Sequence, residues 1–372
     1  MKKLAFSLCI AAAAAFAQPS EAPLERRLYV CDMKKDVIRV HDIDHGHKLL
    51  KTIDLKILKF VEGVTCHTPT HRLFLSDGEG EQIVCMDLLT DKVVWARPYK
   101  TPPGKKFWHL DRLSVTNDGK YLFVPCRGAD QVLVLDATNG DLVKTLRVKG
   151  NPHNSFVGEQ GKAMYLEARS STSLTVVDPR TLEVLATIPG YSSPLRPICV
   201  SPDEKWFFGQ RHELGFGVAD VRDPDPAKWH KLMEIDHERP EKLPRDACTP
   251  HRGHVEGHGI CCRPRTTELW FLDDHYGFLY VYDYGNLPER PKHIATIQLF
   301  TDWTKPWSNQ TFRWLCASTD GRYIYAPNGW VIDAQNKRDT GMRITPGEKM
   351  LEVDWQNGVP VQNGGQNGGV YH

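Results

Sequence analysis

The stretch DGKYLFVPCRGADQVLVLDATNG, residues 118–140, decides the fold because it holds two short apolar runs separated by turn residues. Asp118-Gly119 precedes the first run, and Gly accepts the positive φ that a tight hairpin requires. The second run ends at Asp136 and is followed by the turn Ala137-Thr138-Asn139-Gly140. This pattern predicts antiparallel strands joined by short hairpins.

The strand-ending aspartate recurs along the whole chain at spacings of about 42 to 63 residues, mostly near 45. Val stands two residues earlier in every case but one, where Cys85 precedes Asp87. The seven positions are Asp42, Asp87, Asp136, Asp178, Asp220, Asp283 and Asp333. A repeat of this length built from short strands predicts an all-β fold, a seven-bladed β-propeller. Aspartate accepts backbone N–H bonds in turns, so the recurrence itself predicts a structural role.

The two ends of the repeat region complement each other. The first repeat begins at Leu28 without an inner strand, and residues 349–355 have the pattern to supply one. We therefore predict a propeller over 28–355 whose ring is closed by pairing of the N- and C-terminal strands, which removes exposed sheet edges. Residues 356–372 are rich in Gly, Asn and Gln and are expected to be a disordered tail.

The first residues have the pattern of a signal peptide. Lys2 and Lys3 precede the apolar run 4–15, and Ala15-Phe16-Ala17 is a small-x-small cleavage site. We predict a signal peptide over 1–17, cleaved after Ala17, and a linker over 18–27, with export to the bacterial periplasm or the medium. No later run is apolar for long enough to span a membrane. The formal net charge is +1 and no basic stripe occurs, which argues against a nucleic-acid partner.

Three segments carry a resemblance to a known family: 118–136, 196–203 and 323–329. They resemble the YVTN-type β-propeller repeat, and the likeness extends over most of 28–355. The resemblance implies an extracytoplasmic propeller. Such relatives include binding proteins, lactonase-like enzymes, lyases and the propeller β-chains of quinoprotein amine dehydrogenases, so the resemblance implies a fold and leaves the reaction open.

Nine cysteines remain after the predicted cleavage. Four of them fall on one inner-strand position of the repeat, which Ser114 and Phe156 share, and these four are Cys66, Cys199, Cys261 and Cys316. Inner strands crowd around the axis, so a small buried side chain is expected there and packing explains these cysteines. One disulfide elsewhere, involving Cys248, is the alternative in an exported protein.

The position three residues earlier starts each inner strand and is expected at one mouth of the central channel. It carries Gly63, Asp111, His153, Arg196, His258 and Arg313, and Asn154 adjoins it. One interpretation is a solvated polar channel. The other is a catalytic or ligand-binding cluster made by His153, His258, Arg196, Arg313 and Asp111, because converging His, Arg and Asp suit anion binding and proton transfer.

Long loops are expected on the same face as this mouth. His251, His254, Glu256 and His258 are candidate ligands of a divalent transition metal, and a histidine-rich solvated loop is the alternative. Aromatic and polar candidates for ligand binding are Trp108, His109, Asn154, Trp303 and Trp307, whereas Trp314 is expected to fill a gap beneath a loop.

Three functions remain open from the sequence. The first is a monomeric propeller that binds a small molecule or a protein partner on the loop face. The second is a lyase or lactonase-type hydrolase in which His acts as base or metal ligand and Arg binds an acid. The third is a subunit of a periplasmic redox complex, in which this chain carries no Cys-x-x-Cys-His haem motif.

Overall fold

A computed structural model describes residues 23–32, 37–239, 256–273, 276–299, 313–365 and 368–371. Its strands form seven four-stranded antiparallel sheets in a ring, which confirms the predicted all-β, seven-bladed propeller. Helical structure in the described residues is confined to the 3₁₀ turns Thr68–Thr70, Pro226–Lys228 and Pro327–Gly329. No helix there has the length and apolarity that a membrane crossing requires.

The first three blades take their strands in chain order. Blade 1 contains β1 (Glu25–Asp32), β2 (Val37–Asp42) and β3 (Lys48–Ile53). Blade 2 contains β4 (Val61–His67), β5 (Arg72–Asp77), β6 (Gln82–Asp87) and β7 (Lys92–Pro98). Blade 3 contains β8 (Ser114–Val115), β9 (Tyr121–Cys126), β10 (Gln131–Asp136) and β11 (Leu142–Arg147).

The remaining blades repeat the order from the innermost to the outermost strand. Blade 4 contains β12 (Pro152–Val157), β13 (Met164–Ala168), β14 (Leu174–Val177) and β15 (Val184–Ile188). Blade 5 contains β16 (Leu195–Val200), β17 (Trp206–Arg211), β18 (Gly215–Asp220) and β19 (His230–Asp236). Blade 6 contains β20 (Gly257–Cys262), β21 (Glu268–Asp273), β22 (Phe278–Asp283) and β23 (Lys292–Gln298). Blade 7 contains β24 (Cys316–Ala317), β25 (Tyr323–Ala326), β26 (Trp330–Asp333) and β27 (Arg338–Arg343).

The ring closes through the chain ends, as predicted. The inner strand of blade 1 is β28 (Lys349–Gln356), which pairs antiparallel with β1 so that Tyr29 lies opposite Leu351. Apolar side chains of neighbouring blades pack together: Phe208 and Phe271 are fully buried between blades 5 and 6, and Phe207 stacks on Tyr165 of blade 4. This shared core makes the ring one packed unit.

The seven repeated aspartates cap turns. Asp136 accepts a hydrogen bond from the backbone N–H of Thr138 at 2.7 Å, and Asp178 accepts one from Arg180 at 2.8 Å. The other five accept equivalent backbone N–H bonds within their own turns. Their recurrence is therefore explained by turn geometry, as the sequence predicts.

The end of the chain is ordered in strands, whereas its composition predicts a disordered tail over 356–372. Residues Val359–Gly365 form β29 beside β28, and Gly368–Tyr371 form β30. The last strand also bridges Val157 at the end of β12 in blade 4. The C-terminal strands thus enter the channel from the end opposite to the starts of the inner strands. Glycine permits this close pairing, since a Cβ at Gly365 would lie 3.1 Å from the Cβ of Leu351.

Candidate functional site

The starts of the inner strands form a buried polar cluster at one mouth of the channel. Asp111, His153, Asn154, Arg196 and His258 are each at most 6% exposed. Arg313, which is half-buried, starts the inner strand of blade 7 and lowers the pKa of His258 through its charge. The structure therefore brings the five predicted catalytic candidates and Asn154 to the same mouth.

Sheet pairing corrects the predicted ring in blade 2. Cys199 lies opposite Phe208 in blade 5, and the equivalent phenylalanine of blade 2, Phe74, lies opposite Thr65 and not Cys66. Cys66 resembles the cysteines of blades 5, 6 and 7 in residue type alone, and the bulge before this position is common to blades 2, 4, 5 and 6, so the register of blade 2 matches theirs with Thr65 as the equivalent residue. The position that the sequence assigned to Gly63 therefore belongs to Glu62.

The same pairing gives the missing member of the ring. In blade 1 Tyr29 lies opposite Leu351, which assigns the starting position to Glu348. Blades 1 to 3 thus contribute carboxylates to the mouth, and blades 4 to 7 contribute imidazoles and guanidiniums. In ring order the residues are Glu348, Glu62, Asp111, His153, Arg196, His258 and Arg313.

The acidic side of the ring is internally paired. Lys349 Nζ lies 3.7 Å from a Glu62 carboxylate oxygen and 3.4 Å from one of Glu348. His109 Nε2 contacts the other carboxylate oxygen of Glu62. Burial alone would raise the pKa of Glu62, but the His109 hydrogen bond and the Lys349 charge lower it to about 2. Glu62 is therefore a fixed, neutralised anion.

His153 lies between two buried carboxyl groups. Its Nε2 is 3.7 Å from Asp111 Oδ2, and its Nδ1 is 3.4 Å from Glu167 Oε2. Burial raises the pKa of Glu167 to about 8 and, together with the charge of Glu62, that of Asp111 to about 6. Burial and the charge of Arg196 lower the pKa of His153 well below its usual value. At neutral pH the group therefore holds a neutral imidazole beside a mostly protonated Glu167.

Trp314 forms the packed floor under these groups. Its ring stacks on His153 with a centroid distance of 6.0 Å and meets the edge of His258 at 5.3 Å. The guanidinium carbon of Arg112 lies 3.1 Å from the Trp314 ring centroid, and burial lowers the pKa of Arg112 to about 9. Trp314 is 2% exposed, so it is a packing residue that holds an arginine and two histidines in place.

An open cavity of about 730 Å³ adjoins the cluster. Its cations are Lys106, Arg127, Arg169 and Arg196, and its other lining residues are Phe107, His109, Gly128, Asn151, Ser170, His212, Glu213 and Glu256. Both lining carboxylates are already paired, Glu213 with Arg211 at 3.4 Å and Glu256 with Arg239 at 3.1 Å. Arg127 lies 3.4 Å from Asp111, which leaves Lys106, Arg169 and Arg196 as the cations without a carboxylate pair among the described residues. The cavity is therefore electropositive.

Buried polar atoms without hydrogen bonds concentrate at this mouth. Within the described ranges, neither the oxygen nor the nitrogen of the Asn154 amide has a partner, although the residue is fully buried. The same holds for Nε of Arg112, Nε of Arg196 and Nδ1 of His258. Buried polar groups in folded proteins are nearly always hydrogen-bonded. The mouth therefore holds a concentration of buried hydrogen-bonding groups that no described residue satisfies.

The remaining predicted residues fall in several places. Trp108 is half-buried against the core of blade 3 and its neighbours Phe107 and His109 line the cavity. Glu256 lies at the cavity, whereas His251, His254, Trp303 and Trp307 lie outside the described residues. Among the residues that are described, no group of three or more His, Cys, Asp or Glu could hold a metal ion, so the metal site stays a prediction.

Several site residues were missed from the sequence. Arg127, Glu167 and Arg169 lie at or just after the ends of second strands, which run antiparallel to the inner strands and so return to the same mouth. That rule would have found them. Arg112 and Lys349 adjoin starting positions, and Glu62 was missed because Cys66 was aligned where Thr65 is the equivalent residue.

Sequence comparisons leave the family unassigned. No family model matches the chain. The protein YncE of Salmonella typhimurium LT2, described as uncharacterized, is 23% identical over 214 residues, which is 55% of this chain. YncE of Salmonella typhi is 22% identical over the same length. The chain spans about 59% of the length of these curated relatives.

Comparisons with solved structures support the fold. A functionally unknown protein from Desulfotomaculum acetoxidans has a TM-score of 0.63 at 9% identity, covering 87% of this chain and 98% of that one. The dihydro-heme d1 dehydrogenase NirN, in complex with DHE, gives 0.56 at 13% over 94% and 78%. Kuenenia stuttgartiensis hydrazine synthase gives 0.58 at 15% over 74% and 77%. At these identities the likeness shows a shared β-propeller fold, and the likeness to YVTN-type repeats stays a resemblance.

Proposed function

We propose that this propeller binds a small anionic molecule in the cavity at the mouth of its channel. The observation that carries the proposal is the presence of Arg196 in the lining of this cavity, 5% exposed and without a carboxylate partner among the described residues. An uncompensated buried cation is costly, and a carboxylate or phosphate of a ligand would supply the missing charge and acceptors.

The volume and the lining residues of the cavity limit the kinds of molecule that it can bind. A volume of about 730 Å³ suits a small organic molecule rather than a bare ion. Arg169 and Arg196 would take its acidic group, while Asn151, Ser170 and His212 of the lining offer hydrogen bonds to a neutral polar group. The ligand is therefore expected to join an acidic end to a hydroxyl, carbonyl or amide end.

Calorimetric titration of the protein with succinate, citrate and inorganic phosphate tests the proposal. We expect at least one of these anions to bind, and Arg196→Gln to weaken that binding by about 10- to 100-fold, the value of one charge-assisted hydrogen bond. Arg222→Gln is the matched control, since Arg222 pairs with Asp220 on an outer surface. Equal affinity in the wild type and Arg196→Gln, or no binding by any of the three, would contradict the proposal.

An enzyme acting on the bound acid is a second candidate, favoured by His153 standing between Asp111 and Glu167. The pKa of Asp111 at about 6 and that of Glu167 at about 8 bracket neutrality, which suits general acid–base catalysis. Such an enzyme would be a lyase or lactonase-type hydrolase. Loss of turnover in Glu167→Gln with retained binding of the substrate would support it.

Two other proposals concern the compartment in which the protein acts and the complex to which it belongs. The predicted signal peptide supports action outside the cytoplasm. Membership of a redox complex draws on the fold of NirN and hydrazine synthase alone.

A further inference from the structure

Two cysteines of adjacent blades face each other on the side of the ring away from the ligand cavity. Cys199 Sγ in β16 lies 3.8 Å from Cys262 Sγ in β20, and both thiols are free in the structure. Side chains alternate along β20, so Cys261 packs towards blade 7 and Cys262 packs towards blade 5. The partner of Cys199 is therefore Cys262 and not the residue that shares its place in the repeat.

We propose that Cys199 and Cys262 form a disulfide that links blades 5 and 6. Two sulfurs bonded in a disulfide are about 2.05 Å apart, so the pair must approach by about 1.8 Å, which modest rotation of both side chains can supply. The predicted export would place the protein in a compartment where disulfides persist. The bond would close a segment of 63 residues, which includes β17, β18 and β19.

The bond would form by thiol–disulfide exchange with a small disulfide oxidant such as oxidised glutathione. Cys262 is half-buried and Cys199 is buried, so the thiolate of Cys262 attacks the oxidant and releases one glutathione thiol. The thiolate of Cys199 then attacks the mixed disulfide and releases the second. The two cysteine thiols lose two electrons, and the glutathione disulfide takes up those electrons and becomes two thiols. The two protons that leave the cysteine thiols end on the two glutathione thiols.

A small pocket gives the pair an approach from the far end of the channel. It measures about 40 Å³ and is lined by Cys199, Cys261 and Cys262 together with Gly364 and Gly365 of the C-terminal strand β29. Burial raises the pKa of Cys199 well above its usual value, which makes its thiolate rare in the folded protein. Oxidation of the folded chain is therefore expected to be slow, and oxidation during refolding faster.

Mass spectrometry of the full chain refolded in oxidised glutathione tests the proposal. After alkylation in denaturant, we expect two fewer maleimide adducts than in the reduced chain. A trypsin digest should contain a linked pair made of peptides 181–205 and 253–265, which is lost on reduction. The oxidised protein should have a Tm about 5 °C above that of the reduced protein.

Matched variants identify the second sulfur, since peptide 253–265 contains two cysteines. Cys261→Ala should keep the linked peptides and Cys262→Ala should lose them, with circular dichroism showing that both variants fold. A linked pair that survives in Cys262→Ala would overturn the assignment. Full alkylation of the wild type after refolding would overturn the disulfide itself, because burial cannot delay oxidation of the unfolded chain.

Discussion

Replacing Arg196 by Met is expected to stabilise the protein while removing anion binding. Arg196 is 5% exposed, its Nε has no hydrogen-bond partner in the described part of the chain, and the like charges of Arg169 and Arg313 act on it. Met keeps most of the apolar stem and removes the charge. A residue kept for ligand binding at a cost to folding should behave in this way.

The expected rise in Tm of Arg196→Met follows from the pKa of the Arg196 guanidinium. Burial, together with repulsion from Arg169, lowers the pKa of Arg196 by more than two units, to about 10. A difference of that size corresponds to a penalty of about 3 kcal/mol for holding the charged form in the folded protein. Unfolding a chain of this length has an entropy near 0.8 kcal/mol per degree, so we expect Tm to rise by about 3 to 4 °C.

Differential scanning calorimetry at pH 7 without added anions measures this shift. Arg222→Met serves as the control, because Arg222 is 43% exposed and pairs with Asp220 at the surface, where such a change is worth less than about 1 kcal/mol. A fall in Tm for Arg196→Met larger than that of Arg222→Met would refute the reasoning. Arg196 would then be a structural residue whose contacts hold the mouth together.

Two further predictions concern the ends of the chain. Glu352 is fully buried beside Asp354, so its raised pKa favours folding below the ordinary carboxyl pKa near 4.5 and costs stability as the pH rises above that value. Between pH 5 and pH 8 the Tm of Glu352→Gln should therefore fall by less than that of the wild type. Equal falls in Tm would contradict the raised pKa. Deleting 357–372 removes the strand paired with β28 and should lower Tm by roughly 3 °C or more, measured by circular dichroism, with the strand signal retained. An unchanged Tm would mean that β29 adds nothing to the ring.

The blade number and ring closure could be predicted from the sequence because both depend on local signals. Asp136 and its six equivalents end a strand and cap a turn within a few residues, so their chemistry is visible in a short window. Ring closure could be predicted because the first repeat lacks an inner strand before Leu28 and the chain has one extra strand at 349–355 that can take that place. These signals can be read without knowing which residues from different blades are in contact.

The membership of the site was harder to predict because it depends on exact register. Asp111, His153, Arg196 and His258 were found by aligning repeats, but in blade 2 Cys66 matches the cysteines of other blades in type whereas Thr65 matches them in pairing, so Gly63 was given the place of Glu62. A cysteine beside the equivalent position misleads an alignment based on residue type, and only the strand pairing reveals the error. The ordered C-terminal strand was missed for a related reason, since backbone pairing with β28 places few demands on side chains and a Gly-rich segment can supply it.

The uneven charge around the mouth decides where in the cavity an anion would lie. Carboxylates from blades 1 to 3 are paired with Lys349, His109 and Arg127, so these three bases already have acidic partners. The cavity lining comes chiefly from blades 3 to 5, where the ring changes from acid to base. The C-terminal strands enter the channel from the opposite end and bridge to β12. An anion is therefore expected off the axis, over Arg169 and Arg196, with His153 and Glu167 beneath it, and not along the bore of the channel.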